Sequence, residues 1–213
     1  MLTAKKALIV GLTGPIGAGK TTVAGLLRAR GVPVVDADAL GRELLESSSR
    51  FKGELAAAFG PSILTADGAV DRRALARVAF ASKETAARLN ALIHPLLWDR
   101  IKGEIAEQKG ADIIVIDAAL IVEWIKSLHV DVVVVVDAPQ DVRKERSRHK
   151  YDGDDFDARQ ARQIDAAGKR AEADIIVNND GSEEELKEKV DVLFRALKDK
   201  VNDKNLPVEP LII

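Results

Sequence analysis

The sequence predicts an α/β fold, a parallel five-stranded sheet flanked by helices and carrying a helical insert. Three observations lead there. Residues 7–12, 32–35, 112–117, 130–136 and 174–177 are short β-branched aliphatic runs without alternation, the pattern of parallel strands covered on both faces. Helix-like stretches at 20–30, much of 40–109, 139–150, 157–172 and 182–201 separate them, and strand alternating with helix calls for parallel pairing through right-handed crossovers. The connection between the second and third runs holds about seventy residues, where a simple crossover needs about a dozen.

Taken in order, the first run follows Lys5 and Lys6 but leads straight into a glycine-rich segment, so a buried first strand is expected rather than a signal peptide. Within the long connection, Leu44, Phe51, Leu55, Phe59, Leu75 and Leu89 recur at helix-like spacing. Residues 39–109 are therefore expected to form a helical domain over the carboxyl edge of the sheet, where open α/β sheets bind ligands. The core is expected from 1–38, 110–138 and 172–204. A helical lid is expected at 139–171 and a loose tail at 205–213, which contains Pro207 and Pro210.

Composition narrows the function. Lys and Arg total 32 against 34 Asp and Glu, a net charge of -2, which offers no long-range field for nucleic acid. An anionic substrate must be met by locally placed cations. There is no cysteine, hence no disulfide framework or thiolate metal site, and a reducing, cytoplasmic setting is expected. The apolar run 132–136 is far short of the roughly 20 residues of a membrane span.

The segment Gly14-Pro15-Ile16-Gly17-Ala18-Gly19-Lys20-Thr21 satisfies the GxxxxGK(S/T) phosphate-loop pattern, between a strand-like and a helix-like run. Gly14, Gly17 and Gly19 let the backbone turn and approach an anion without a Cβ in the way. Amides from Gly17 through Ala18 to Thr22 are expected to point inward at phosphate oxygens, aided by the helix N-terminus. Lys20 is expected to reach the β- and γ-phosphates of ATP, and the Thr21 hydroxyl to ligate Mg²⁺. This makes the sheet a P-loop NTPase fold. Guanine-specific GTPases carry an Asn-Lys-x-Asp motif that this chain lacks, which favours a kinase.

The acceptor side needs a base. Asp36 and Asp38 stand at the carboxyl end of the second strand, and residues two apart on an extended chain share a face. Either could orient a hydroxyl near the γ-phosphate, and either could instead cap the following helix. Asp117 ends the third strand and could hold Mg²⁺ or cap the next helix. No cluster of protein ligands is present, so Mg²⁺ is expected to arrive with ATP and keep most of its waters.

These residues, with their neighbours, resemble the dephospho-CoA kinase family. The resemblance runs through Gly11 to Val23, Asp36-Ala37-Asp38 with Arg42, Asp71-Arg72-Arg73-Ala74-Leu75 and Leu89-Asn90-Ala91-Leu92-Ile93-His94-Pro95. It continues in Leu120-Ile121-Val122-Glu123, Arg143 and Arg146, Gln163, Ala173-Asp174 and Asn178-Asn179-Asp180-Gly181, and spans nearly the whole chain. It implies transfer of the ATP γ-phosphate to the ribose 3′-hydroxyl of dephospho-CoA, with these small molecules as partners, neither nucleic acid nor membrane, and monomer or homo-oligomer left open. It implies Asp38 as base, and Asp36, Arg42, Arg72, Arg73, His94 and Glu123 on the acceptor side. Asn179 falls on the nucleotide side. His94 before Pro95 could alternatively fill a helix junction.

Arg143, Arg146 and Lys150 line one face of a helix at i, i+3 and i+7. They read either as a lid neutralising the transferring phosphoryl group, with Arg146 foremost, or as a solvated face. The chain departs from the family at Pro15 and at Ala119, where glycine and proline are usual, and at Lys150, where a second lid arginine is expected. Two rivals remain: a nucleoside or nucleoside monophosphate kinase of the same build, and a P-loop ATPase acting as a switch.

Overall fold

The computed structural model describes residues 7–119, 129–148, 166–203 and 211–213. Glu123, Lys150, Gln163 and residues 149–165 of the expected lid lie outside the described residues. The chain forms two compact units, Met1–Asp36 with Gln108–Ile213, and Ala37–Glu107.

The first unit holds the sheet. Its strands are β1 (Leu8–Thr13), β2 (Val34–Asp36), β3 (Ile113–Asp117), β4 (Val132–Asp137), β5 (Ile175–Asn178) and β6 (Leu211–Ile212). They lie parallel in the order β2-β3-β1-β4-β5-β6. Every residue of β1 and β3 is buried, which explains the unbroken aliphatic runs. Because the strands are parallel, their polar carboxyl ends gather at one edge. Asp36 stands opposite Asp117, and Asp137 opposite Asn178. β1 lies between β3 and β4, so the loop that follows it leaves from the middle of that edge.

Five strands are expected from the sequence; among the described residues there are six. The tail is also not loose at its end. The Leu211 amide donates to the Asp174 carbonyl (3.1 Å), Ile213 donates to Ile176 (2.9 Å), and Asn178 donates to Ile213 (2.9 Å). Two residues are too short a run to register as a strand in sequence, and β5 supplies the template.

Helices α1 (Lys20–Ala29) and α8 (Glu183–Asn202) cover one face of this sheet. Val23 and Leu27 of α1, with Val190, Leu193 and Leu197 of α8, share a core with Val10, Leu12, Val115 and Val134. A capping box starts α8: Ser182 Oγ accepts from the Glu185 amide, and Glu185 Oε2 accepts from the Ser182 amide, a device contributing about 1 kcal/mol. Two shorter helices, α6 (Gln140–Ser147) and α7 (Ala166–Ala171), follow β4 and precede β5.

The second unit is helical: α2 (Ala37–Glu46), α3 (Ser49–Phe59), a 3₁₀ turn (Pro61–Ile63), α4 (Arg72–Ala79) and α5 (Lys83–Glu107). Leu44, Phe51, Leu55, Leu75 and Ile101 are buried in it. Helix α5 runs unbroken through Pro95, so His94 and Pro95 do not form the helix junction considered from sequence. Proline inside a helix costs about 3 kcal/mol. Burial of Leu89, Leu97 and Ile101 on the same helix, at about 1.5–3 kcal/mol each, offsets it. Among the described residues no helix is long and apolar enough to cross a membrane.

Candidate active site

The phosphate loop leaves β1 at Thr13 and enters α1 at Lys20. The Ala18 amide closes a turn on the Pro15 carbonyl (3.1 Å), and the Thr22 amide bonds the Gly19 carbonyl (3.0 Å). These two amides thus serve the loop itself, where the sequence suggested that all would face an anion. Among the described residues the Gly17, Gly19 and Thr21 amides have no protein acceptor. Pro15 sits at the first position of its turn, where its missing N–H forfeits no bond.

Two glycines are required by geometry. Gly17 has φ 80° and Gly19 φ 94°, a region L side chains rarely adopt. A Cβ on Gly17 would also strike the Arg143 carbonyl and Ser147 Oγ of α6, and one on Gly19 would strike the Asn179 side-chain amide. The loop is therefore seated against α6 and against the turn after β5.

At the sheet edge the Lys20 ammonium is ion-paired with Asp117 Oδ1. Asp117 is only 5% exposed and accepts from Lys20; the helix it was alternatively expected to cap falls outside the described residues. Thr21, in the first turn of α1, is exposed. Lys20, Thr21, Asp36 and Asp117 all belong to the first unit. A hydroxyl at a helix N-terminus and an ionised carboxylate at a strand end are the hard oxygen donors that Mg²⁺ takes, so the residues present fit that ion.

Asp36 and Asp38 do not share a strand face. β2 ends at Asp36 and α2 begins at Ala37, so the two-residue alternation argument lapses. Asp38 is also not the residue before a helix; it sits half-buried in the first turn of α2, where the helix dipole favours a carboxylate. The boundary between the two units falls between Asp36 and Ala37.

Helix α6 separates its arginines. Arg143 is buried and its Nε donates to the Ala138 carbonyl (3.0 Å). Burial lowers its pKa, and Asp137 opposes the shift. It therefore anchors the helix rather than lining an open face with Arg146. Arg146 is exposed, and its Nη1 donates to the Asn179 carbonyl (2.9 Å). Asn179 in turn donates from Nδ2 to the Ala18 carbonyl (2.8 Å). Arg146, Asn179 and the phosphate loop form one hydrogen-bonded chain.

The second unit carries Asp38, Arg42, Arg72, Arg73 and His94. Arg42, Arg72 and Arg73 are exposed. The two adjacent arginines open α4, whose N-cap Asp71 accepts from the Arg73 and Ala74 amides (2.9 and 3.0 Å). The Ala74 and Arg73 amides hold the Asp71 carboxyl below its usual range. His94 lies half-buried with its ring centroid 5.3 Å from that of Trp98, and burial lowers its pKa from 6.5.

Sequence reasoning passed over Lys169. It is fully buried on α7, and its ammonium meets Thr13 Oγ1 and the Ala119 carbonyl. Nothing in Gly168-Lys169-Arg170 distinguishes it from a surface lysine.

The family model for dephospho-CoA kinase matches residues 8–185. A dephospho-CoA kinase of Thermobifida fusca is 39% identical over 199 residues, 92% of this chain and 100% of that one. One of Anaeromyxobacter dehalogenans is 42% identical over 194 residues, 89% of this chain and 92% of its own. The crystal structure of TT1252 from Thermus thermophilus superposes with a TM-score of 0.78 at 32% identity, covering 91% of this chain and 99% of that one. With a matching model across the sheet, the phosphate loop and the helical unit, the chain belongs to the dephospho-CoA kinase family.

Proposed function

We propose that this kinase moves the γ-phosphate of ATP onto the ribose 3′-hydroxyl of dephospho-CoA, giving coenzyme A and ADP. The observation that carries the reading is the meeting of Lys20 with Asp117 at the sheet edge, beside a loop whose Gly17, Gly19 and Thr21 amides have no protein acceptor among the described residues.

The phosphates of ATP dock on these amides at the positive end of α1. Lys20 passes from Asp117 to the β- and γ-phosphate oxygens, a move between two anionic partners. Thr21 and Asp117 are the residues that would hold Mg²⁺. When bound, Mg²⁺ would supply charge neutralisation for the transferring phosphoryl group. Arg146, held at the loop through Asn179, places a guanidinium for the equatorial oxygens of the transferring group. Asp38 orients the 3′-hydroxyl and takes its proton as the O–P bond forms. Asp36, Arg42, Arg72, Arg73 and His94 serve the acceptor. Most of the rate then comes from positioning and fixed charge.

A coupled assay of ADP release with and without dephospho-CoA tests this. ATP turnover that needs no acceptor, or a clear preference for AMP or a nucleoside, overturns it.

A further inference from the structure

Lys169 is 0% exposed, the largest of the fully buried side chains among the described residues. Burying an ammonium is unfavourable unless its protons are met by acceptors, and an apolar residue of similar volume is often no worse for stability. A buried lysine therefore points to a requirement for placement. Its surroundings say what is placed. Lys169 Nζ donates to Thr13 Oγ1 (3.3 Å) and to the Ala119 carbonyl, and Thr13 Oγ1 donates to that same carbonyl (3.1 Å).

Each partner is one step from the chemistry. Thr13, itself 0% exposed, is the last residue of β1 and immediately precedes Gly14. Ala119 lies two residues past Asp117, and the Ala118 amide between them bonds the Leu12 carbonyl (3.1 Å). The ammonium thus ties the stem of the phosphate loop to the segment carrying the Lys20 partner. It does so from α7, on the chain that returns from Arg146 towards β5.

We propose that Lys169 is a positioning residue for phosphoryl transfer, fixing Thr13 against Ala119 so that the phosphate loop and Asp117 keep the spacing at which Lys20 can pass between carboxylate and phosphate. It touches neither substrate. The role rests on the kinase reading of the same site and adds a residue to it.

The test is Lys169→Met, Thr13→Val and the double variant, assayed in the full chain for kcat, for KM of dephospho-CoA, for equilibrium affinity of ATP by displacement of a fluorescent analogue, and for thermal midpoint. Lys169→Met is expected to lower kcat about 10–100-fold and to weaken ATP about tenfold, with KM for dephospho-CoA within about threefold and the thermal midpoint little changed. Thr13→Val is expected to do the same more weakly. In the double variant the second change should add little, because both remove one linkage.

Three results overturn the proposal: Lys169→Met within about twofold of wild type in kcat and ATP affinity, losses that multiply independently, or a fall in thermal midpoint with unchanged activity per folded molecule. Should Lys169→Met fail to fold, Thr13→Val alone decides, and a wild-type kcat in it sinks the idea. If the wild type shows no dephospho-CoA-dependent turnover, the kinase reading fails separately, and the ATP-affinity ratios still judge Lys169.

Discussion

The ammonium of Lys20 and the carboxylate of Asp117, ninety-seven positions apart in the chain, form an ion pair where β3 ends and α1 begins. Parallel pairing of β1 with β3, in the register that sets Leu12 against Asp117, brings them there. A lysine so held is preoriented, and ATP must win it from a carboxylate.

Lys20→Met is accordingly expected to lower kcat/KM for ATP on the order of 10²–10³-fold, as loss of one fixed electrostatic donor does elsewhere. Asp117→Asn should lower kcat and raise the Mg²⁺ concentration for half-maximal rate. Steady-state kinetics over a Mg²⁺ series reads both. Unchanged kinetics in the pair of variants would move the chemistry away from this loop.

Asp38→Asn should reduce kcat by on the order of 10²–10⁴-fold, the range for loss of a general base, while ATP affinity stays within a few-fold. Single-turnover measurement with equilibrium ATP binding separates the two. Near-normal turnover removes Asp38 from the base role.

Arg146→Ala is expected to cut kcat by about 10²-fold or more. Arg146→Lys should recover little, since an ammonium cannot reproduce a guanidinium fork. Loss of KM for ATP with kcat intact would instead make Arg146 a clamp on Asn179 alone.

Gly19→Ala should weaken ATP binding severely, because it combines a left-handed φ with a contact on the Asn179 amide. The backbone part alone costs roughly 1–2 kcal/mol. The double variant with Asn179→Ala relieves the contact but not the φ, so calorimetric titration with ATP should show only partial recovery.

His94 gives a pH signature. Burial lowers its pKa from 6.5, so the unfolded chain takes up a proton at a pH where the folded chain does not. Stability from this site is therefore present above pH 6.5 and lost as pH falls towards the folded value. In urea unfolding between about pH 7 and pH 5, His94→Gln should lose less stability than wild type. Parallel curves would contradict the sign.

Much of this was legible in the sequence. The phosphate loop announced itself because its chemistry is local: three glycines, a lysine and a threonine at fixed spacing, between a strand and a helix. The buried strands followed from continuous aliphatic runs. Other features stayed hidden for physical reasons. β6 is two residues long and exists because β5 offers an edge. The alternation argument for Asp36 and Asp38 failed because the backbone changes from strand to helix between them. Arg143 and Arg146 look alike in sequence, yet one is buried under Ala138 and the other reaches Asn179.

The sequence by itself determined that a phosphate-loop pattern stands between a strand and a helix, and which family the chain resembles. The tertiary structure alone decided which cation meets which acceptor: Lys20 with Asp117, Arg146 with Asn179, Lys169 with Thr13. Spacing along a chain sets local backbone geometry, whereas these pairings join residues 97, 33 and 156 positions apart, and only strand register and helix packing bring such residues within bonding distance.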